Sequence, residues 1–458
     1  MASHMKNMTV GKPLGLILTF ALPLMVGNVF QQLYTVVDTM VVGKALGVGA
    51  LAALGAADWM NWMMLGIVQG FTQGFAIPMA QEFGRGDHGA LRRIVGCSVL
   101  LSLFFSLGLL AVGQAIARPV LLMLQTPGEI LGDALLYLRV MYFGIPIVTA
   151  YNLLASVLRS LGDGRTPLLA MIVASVTNIS LDLLFVLVFH WGIAGAAAAT
   201  LIAQLVSGLF CLYHVGKIKM LALSRQDFAL KNGLPRQLLL LGAPMAVQNA
   251  IISVGGMIVQ AVVNGFGVLF IAGFTATNKL YGVLEIAATS YGYAMITYVG
   301  QNLGAGKMGR IRQGVRSATL IALVTSAVIA VVMLLAGKWI LSCFISGTPE
   351  QFDQTLQIAY HYLTIMSLCL PVLYILHVSR SAIQGMGNTM LPLVSGIAEF
   401  VMRTLTALLL PMFMGANGIF FAEVIAWAGA DVILIPSYFI MLGRVRQRLC
   451  IGGETGEE

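Results

Sequence analysis

Charged residues are scarce in this sequence. Asp, Glu, Lys and Arg make up 10% of the chain and hydrophobic residues 59%, whereas about a quarter of the residues in an average soluble domain are charged. So little charge excludes an ordinary soluble protein and indicates a chain that is solvated by lipid. The 458 residues have room for roughly a dozen apolar windows of about twenty residues, the length that crosses a bilayer core.

Paired cysteines and catalytic motifs are also missing. The cysteines are scattered singly, with no CxxC and no histidine spacing that would form a metal site. We expect them to be reduced packing residues; they are Cys97, Cys211, Cys343, Cys369 and Cys450. The sequence contains no Walker and no HExxH motif, and its histidines form no nucleophilic arrangement. These absences argue against an enzyme, a bound metal and an organic cofactor.

Long apolar segments recur along the whole chain. They span roughly residues 14–42, 49–80, 91–117, 133–158, 167–189, 193–216, 238–264, 269–302, 313–337, 356–384, 391–413 and 418–442. The first segment runs on to Asp38 without a small-residue cleavage site, so it is predicted to remain as a helix and not to be removed as a signal peptide. We therefore predict an all-α polytopic membrane protein with twelve transmembrane helices.

Positive charge is distributed unevenly between alternate loops. Twenty of the 26 Lys and Arg residues, Arg380 among them, fall on one side; the other side has Lys44, Arg118 and Lys338, and Arg139, Lys279 and Arg403 lie inside segments. Because positive charge near helix ends is retained in the cytoplasm, both termini are predicted to be cytoplasmic and Gly347 external. The net charge of +8 is dispersed among these loops, so it indicates orientation and no nucleic-acid partner.

The second half of the chain repeats motifs of the first half, at an offset of about 220 residues. Residues 81–86 (QEFGRG) return as 301–306 (QNLGAG), and residues 162–166 (GDGRT) return as 385–389 (GMGNT). The order is kept, so the chain is a duplication. Since each half has an even number of helices, we expect two six-helix lobes related by a pseudo-twofold axis along the membrane normal, with the substrate path between them.

These observations set the predicted domain boundaries. Residues 1–4 resemble a cloning remnant, because a second plausible start follows at Met5. The first lobe is predicted at 5–214 and the second at 238–443, joined by a basic cytoplasmic linker at 215–237 and followed by a cytoplasmic tail at 444–458.

Two predicted helices carry a polar stripe at helical spacing. The first has Asn28, Gln31, Thr35 and Asp38, and the fifth has Met171, Ser175, Asn178 and Asp182. An ionisable residue inside a bilayer costs about 2.5–3.5 kcal/mol, so the two aspartates need a function or a partner. With Asn178 and the hydroxyl of Thr200 they supply the hard oxygen ligands that hold a cation or a proton. In the alternative interpretation, each aspartate only hydrogen-bonds a neighbouring helix.

The repeat predicts this site in the first half alone. Aligning the halves places Val259 at the position of Asp38, Val401 at Asn178, Leu405 at Asp182 and Glu423 at Thr200. Other acidic residues inside segments could draw a cationic substrate to the second half; they are Glu285, Glu399, Glu423 and Asp431. Arg403 follows Glu399 by one turn, and we expect those two to pair.

Several motifs resemble the multidrug and toxic compound extrusion (MATE) family of prokaryotes. Residues 137–182 include YLR, Pro146, LRSLGDGRTP and NISLD, and residues 301–314 read QNLGAGKMGRIRQG. The resemblance covers essentially the whole chain. It implies a multi-pass transporter of the bacterial or archaeal cytoplasmic membrane that exchanges Na⁺ or H⁺ for organic cations and xenobiotics by alternating access.

The resemblance also implies which residues act. The coupling cation would bind at Asp38, Asn178, Asp182 and Thr200, and the substrate at Gln31, Tyr34, Asn152 and Met171. One branch of the family uses a carboxylate early in the seventh helix, where this chain has Gln248 and Asn249. We expect a monomer in the lipid bilayer. The alternatives are a lipid-linked saccharide flippase, which needs a basic cavity, and a membrane-embedded enzyme.

Overall fold

The computed structural model describes residues 5–230, 233–345 and 348–454. This part of the chain is almost entirely helical and contains no strand. Its α-helices are α1 (Pro13–Leu46), α2 (Val48–Arg85), α3 (His88–Met123), α4 (Gly128–Phe143), α5 (Ile145–Ser160), α6 (Arg165–Asp182), α7 (Gly192–Gly216), α8 (Leu234–Val263), α9 (Val268–Gly304), α10 (Met308–Ser342), α11 (Pro349–Leu368), α12 (Leu370–Gly385), α13 (Met390–Met414) and α14 (Ala422–Glu454). The predicted remnant at 1–4, Lys231 of the linker, Gly347 and residues 455–458 of the tail lie outside the described residues.

Each predicted apolar segment lies on one helix or on a bent pair of helices. Eight helices of the described chain are long and apolar enough to cross a membrane, and ten spans result if each bent pair counts as one. The eighth of these, Met390–Val445, contains both α13 and α14. The helix α9, which contains Lys279 and Glu285, falls outside that count.

The two bent pairs occur at equivalent places in the repeat. The angle between α4 and α5 is 47°, and that between α11 and α12 is 48°. Pro146 and Pro371 stand in the first turn of α5 and α12, where the missing N–H of proline removes no helical hydrogen bond. The matching angles support the duplication that the sequence predicts.

The repeated glycine motifs end α2 and α9. Gly86 has a φ of 81° and Gly306 a φ of 70°, a left-handed conformation that glycine adopts without strain. Asp87 then caps α3 by accepting a hydrogen bond from the Ala90 N–H at 2.8 Å. This bond holds the pKa of the Asp87 carboxyl below its ordinary value, and it satisfies a backbone donor that the first helical turn leaves free.

The chain forms two compact units. The first unit contains Leu22–Ala250 and the start of the chain up to Asn7, and the second contains Met8–Ala21 and the chain from Ile251 onward. The helices α1 and α8 therefore contribute to both units. These units are compact bodies in space whereas the predicted lobes are repeats along the chain, so the boundaries of the lobes and linker stay a prediction.

Close packing fixes the ends of α1 and α8. In the first unit, a Cβ on Gly74 of α2 would lie 2.5 Å from the Cα of Gly242, so only glycine allows this approach. In the second unit, Met8 is buried, its N–H donates to the Gln301 side chain at 2.8 Å, and its carbonyl accepts from Arg310 at 3.2 Å. The repeated motif at 301–306 thus anchors the segment that precedes α1.

The described cysteines form no disulfide. Cys97 and Cys211 are buried, as expected of packing residues, whereas Cys343 is exposed just beyond the end of α10. The expectation of a packing role is therefore wrong for Cys343. The side chain of Cys450 lies outside the part of the chain that is described.

Candidate functional site

Two carboxyl groups meet inside the first unit. Asp38 of α1 is 8% exposed and Asp182, the last residue of α6, is fully buried. Their carboxyl groups lie within hydrogen-bonding reach of each other. Neither group forms an ion pair with any Lys, Arg or His among the described residues. Two acceptors at this separation form a stable contact only with a proton or a cation between them.

Asn178 and Thr200 extend this group of oxygen atoms. Asn178 is fully buried one turn before Asp182, and its Nδ2 donates to Thr200 Oγ1 at 3.3 Å. The Oδ1 of Asn178, both oxygens of Asp182 and the Oδ1 of Asp38 are buried and accept no hydrogen bond. Buried acceptors without a donor are unfavourable unless water, a proton or a cation binds them. The structure thus brings the four predicted cation ligands together.

Contacts between α1 and α6 set the position of the two aspartates. A Cβ on Gly27 of α1 would lie 2.7 Å from the Met171 sulfur, so glycine lets the helices approach there. One turn further, Ser175 Oγ lies 3.2 Å from the Phe30 carbonyl. Thr35, predicted as part of the polar stripe of α1, is instead exposed and donates to its own helix at Gln31 O. The buried stripe therefore contains Asp38 without Thr35.

The predicted substrate residues are only partly brought together. The Tyr34 hydroxyl lies within hydrogen-bonding reach of the Gln31 side chain and close enough to both carboxylates to interact electrostatically. Met171 contacts α1 at Gly27. Asn152 instead donates to Val148 O of its own helix at 2.9 Å, and no hydrogen bond in the described chain joins it to the other members of the set.

Three further residues, to which the sequence assigned no role, lie near the carboxyl pair. Gln204 of α7 reaches the Tyr34 hydroxyl, and its own Oε1 is buried without a donor. Tyr137 of α4 interacts electrostatically with both aspartates and with the exposed Asp58 of α2. Gln204 could have been found from its spacing, because it follows Thr200 by one turn on the same face of α7.

The second unit contains a buried chain of ion pairs. Arg380 Nη2 lies 2.7 Å from Glu399 Oε2, Arg403 Nη2 lies 3.0 Å from Glu399 Oε1, and the same Nη2 lies 2.7 Å from Glu423 Oε2. The predicted pairing of Glu399 with Arg403 is confirmed. Arg380, predicted to lie with the loop charges of the cytoplasmic side, is instead buried in α12, where two carboxylates lie close enough to neutralise it. Its side of the membrane stays a prediction.

Burial corrects the alignment of α13 with α6. Val401 is 43% exposed and Leu405 48% exposed, so neither can be the counterpart of a fully buried residue. The buried residues of α6 at 167, 170, 174, 178 and 182 match in spacing the buried residues of α13 at 392, 395, 399, 403 and 407. Asn178 therefore corresponds to Arg403 and Asp182 to Ala407, and the described residues of the second unit have no carboxyl pair at the corresponding positions.

The remaining acidic residues of the second unit differ in their surroundings. Glu285 of α9 lies 3.3 Å from His377 Nε2. Asp431 of α14 is 6% exposed, and its Oδ1 has no hydrogen-bond partner in the described chain. Of the four acidic residues predicted to attract substrate, Glu399 and Glu423 are thus already neutralised by arginine.

The amides at the start of the seventh span have structural contacts. Gln248 is buried, and Asn249 Nδ2 donates to Gly66 O of α2 at 2.8 Å. Both residues belong to the first unit. The early part of the seventh span, in α8, therefore has amides where a carboxylate could have stood.

Comparison with known proteins identifies similar chains across the full length. The family model MatE matches residues 23–184 and 244–427. "Probable multidrug resistance protein YpnP" of Bacillus subtilis is 29% identical over 90% of this chain and 92% of its own length. "Probable multidrug resistance protein NorM" of Thermotoga maritima is 24% identical over 96% and 95%, and a "FAD transporter" of Shewanella oneidensis is 25% identical over 90% and 91%.

Solved structures match the fold. The structure of a MATE protein in complex with MaL6 superposes with a TM-score of 0.90 at 20% identity, covering 98% of this chain and all of the other. A MOP superfamily transporter from Pyrococcus furiosus gives a TM-score of 0.89 at 21% identity, covering 97% and 99%. The predicted fold class is confirmed: this is an all-α polytopic membrane protein with twelve transmembrane helices in two six-helix lobes.

Proposed function

The chain belongs to the MatE family, and from this premise we propose that it is a multidrug efflux antiporter that exchanges Na⁺ or H⁺ for an organic cation. It is a membrane transporter and not an enzyme. Relatives named as multidrug resistance proteins support efflux of drugs. The observation that carries the coupling is the buried carboxyl pair of Asp38 and Asp182, whose oxygens have no basic partner.

The chemistry of this pair suits a small cation. Two carboxylates, an amide oxygen and a hydroxyl oxygen from Asp38, Asp182, Asn178 and Thr200 are hard ligands of the type that binds Na⁺, and a shared proton would neutralise the same pair. A bound cation removes the repulsion between the carboxylates, so it stabilises the packing of α1 against α6 around it. The release of the cation restores that repulsion and favours another packing.

Exchange requires the ion and the drug to favour opposite conformations. Each ligand then weakens binding of the other by the same factor, because coupling between binding sites is reciprocal. Gln31, Tyr34 and Met171 are the residues through which we expect the drug to sense the ion, since they lie on the same two helices as the carboxyl pair. Asn152 is kept as a substrate residue of lower priority.

We further propose that the protein acts as a monomer in the cytoplasmic membrane with both termini in the cytoplasm. The uneven distribution of Lys and Arg supports this orientation even after Arg380 is removed from the loops. A basic cavity for a lipid-linked saccharide has no support, since Arg380 and Arg403 of the second unit are both neutralised by carboxylates.

Transport into reconstituted vesicles tests the proposal. A sodium gradient at constant pH and a pH gradient at constant sodium are imposed in turn, and movement of a fluorescent organic cation is measured. We expect transport to follow one of the two gradients, to be lost in Asp182→Asn and to persist in Thr35→Ala, which removes an exposed hydroxyl that donates to its own helix. Transport that needs no gradient, or that Asp182→Asn leaves unchanged, would contradict antiport through this site.

A further inference from the structure

The second unit repeats one contact of the candidate cation site, with a guanidinium in place of an amide. Asn178 corresponds to Arg403 and Thr200 to Glu423, and in each unit the two corresponding side chains are in contact. The first pair meets at 3.3 Å and the second at 2.7 Å. A neutral hydrogen bond between α6 and α7 is thus replaced by an ion pair at the same place between α13 and α14.

We propose that Arg403 is a resident cation, which fills in the second unit the place that the exchangeable cation takes in the first. The protein then has one exchangeable cation site per chain, although its fold provides two equivalent places. This inference rests on the proposed function, because it takes the group around Asp182 to be the exchangeable site.

The space for the guanidinium comes from a missing side chain. Pro244 repeats Pro23, and the same spacing places Gly255 of α8 at the position of Tyr34. A Cβ on Gly255 would lie 3.2 Å from Arg403 Nη1 and 3.3 Å from the Phe400 ring. In the first unit, the tyrosine ring stands at that position beside the carboxyl pair. The small residue in α8 therefore leaves room for the large cationic side chain in α13.

The ligands of the guanidinium resemble those of a bound cation. Arg403 contacts the carboxylates of Glu399 and Glu423, and its Nη1 donates to the Ile252 carbonyl of α8 at 3.2 Å. Two carboxylates and a neutral oxygen thus surround one positive charge. Arginine stays protonated under all conditions in which the protein is folded, and its chain tethers it, so this cation cannot be exchanged.

Glu399 connects this group to a second arginine that serves as a control. Arg380 contacts Glu399 on the side away from Arg403 and has no counterpart among the four candidate cation ligands of the first unit. If the ion pairs only hold helices together, removing either arginine should have the same kind of effect. If Arg403 is a resident cation, only its removal opens a cation site.

A binding titration with purified protein in detergent tests the proposal. Radiolabelled sodium and methylguanidinium are the probes, and the number of sites per chain is the readout. Wild type should bind one exchangeable cation, either a sodium ion or a proton counted by proton uptake in weakly buffered solution, and Asp182→Asn should bind none. Arg403→Ala should gain a site that persists in the double variant Arg403→Ala/Asp182→Asn, whereas Arg380→Ala should keep the wild-type number. The first pair of results tests the proposed function, and the double variant tests the resident cation.

Thermal stability provides a second readout in case Arg403→Ala folds poorly. Methylguanidinium should raise the Tm of Arg403→Ala and of Arg403→Gln, with no effect on wild type, because it refills the place that the side chain leaves. Variants that neither bind nor are stabilised by either probe would overturn the proposal. An equal gain of binding in Arg380→Ala would overturn it as well.

Discussion

The carboxyl groups of Asp38 on α1 and Asp182 on α6 lie within hydrogen-bonding reach of each other in a region where no described basic side chain pairs with them. In the second unit, by contrast, the carboxylates of Glu399 and Glu423 form ion pairs with arginine. The same fold thus contains one group of acidic residues that needs an external cation and one that does not.

Neutralising either aspartate should separate stability from transport. In Asp38→Asn or Asp182→Asn, one of two repelling buried charges is removed while the shape is kept, so Tm in detergent should stay equal or rise. Gradient-driven export should be lost, because the remaining ligands no longer hold the coupling cation. Drug resistance of expressing cells and Tm of the purified variants measure the two effects. A large fall in Tm would indicate a structural role for the pair.

Thr200→Ala should weaken the cation without removing the site. The change deletes one oxygen and the acceptor that orients Asn178. We expect the affinity for the cation to fall about tenfold, which corresponds to roughly 1.4 kcal/mol. Thr35→Ala is the matched control, because the Thr35 hydroxyl is exposed and bonds only its own helix. Equal effects of the two substitutions on a binding titration would speak against Thr200 as a ligand.

The ion pairs of the second unit should matter for folding. Glu399→Gln leaves Arg380 and Arg403 buried with too little negative charge, and breaking a buried pair from one side destabilises by about 3–5 kcal/mol. Asp431→Asn removes a buried carboxylate that lies near Arg380 but forms no ion pair with it in the described chain, so it should change stability much less. Chemical denaturation in detergent compares the two variants. Similar losses in both would show that the network is not the stabilising element.

Cys343 offers a native probe of orientation. It is exposed at the end of α10, whereas Cys97 and Cys211 are buried. With both termini in the cytoplasm, this end of α10 faces outward, so a membrane-impermeant maleimide should label intact cells that express wild type and not those that express Cys343→Ser. Labelling of Cys343 only after permeabilisation would invert the predicted topology.

Much of the fold could be predicted because each element has a local signal. Apolar segments marked the helices, and the repeated motifs at 81–86 and 301–306 marked the duplication. Arg380 was counted with the loop charges because it stands near the end of a segment, where sequence alone does not separate a loop charge from a buried ion pair. Tyr137 was missed for a different reason: it approaches the aspartates from another helix, and such contacts leave no periodic pattern.

The alignment of α13 was wrong because of two residues. Thr166 is followed directly by Pro167, but Met390 and Leu391 stand between Thr389 and Pro392. On a helix, two residues turn the side chains by about 200°. An offset taken from the loop motif GDGRT and carried into the helix therefore placed Val401 and Leu405 on the buried face. Only the pattern of buried side chains reveals the difference.

The two extra residues at the start of α13, Met390 and Leu391, are compensated in the first unit after the end of α6. There the π-helical segment Leu183–Val188 follows Asp182 directly. The repeats have the same length from Thr166 to Gly192 and from Thr389 to Gly415. The two residues that α6 lacks at its start, relative to α13, are therefore present between Asp182 and Gly192. The wider turns of the π-helix and the non-helical residues 189–191 accommodate these two residues. Compared with α13, α6 is therefore shifted along its axis by about 3 Å and rotated, although both ends of the repeat stay aligned. Such a shift changes which face of a helix is buried without altering the loops at its two ends. The shift therefore brings Asp182 in one unit and Ala407 in the other to the same position on the buried face of the helix.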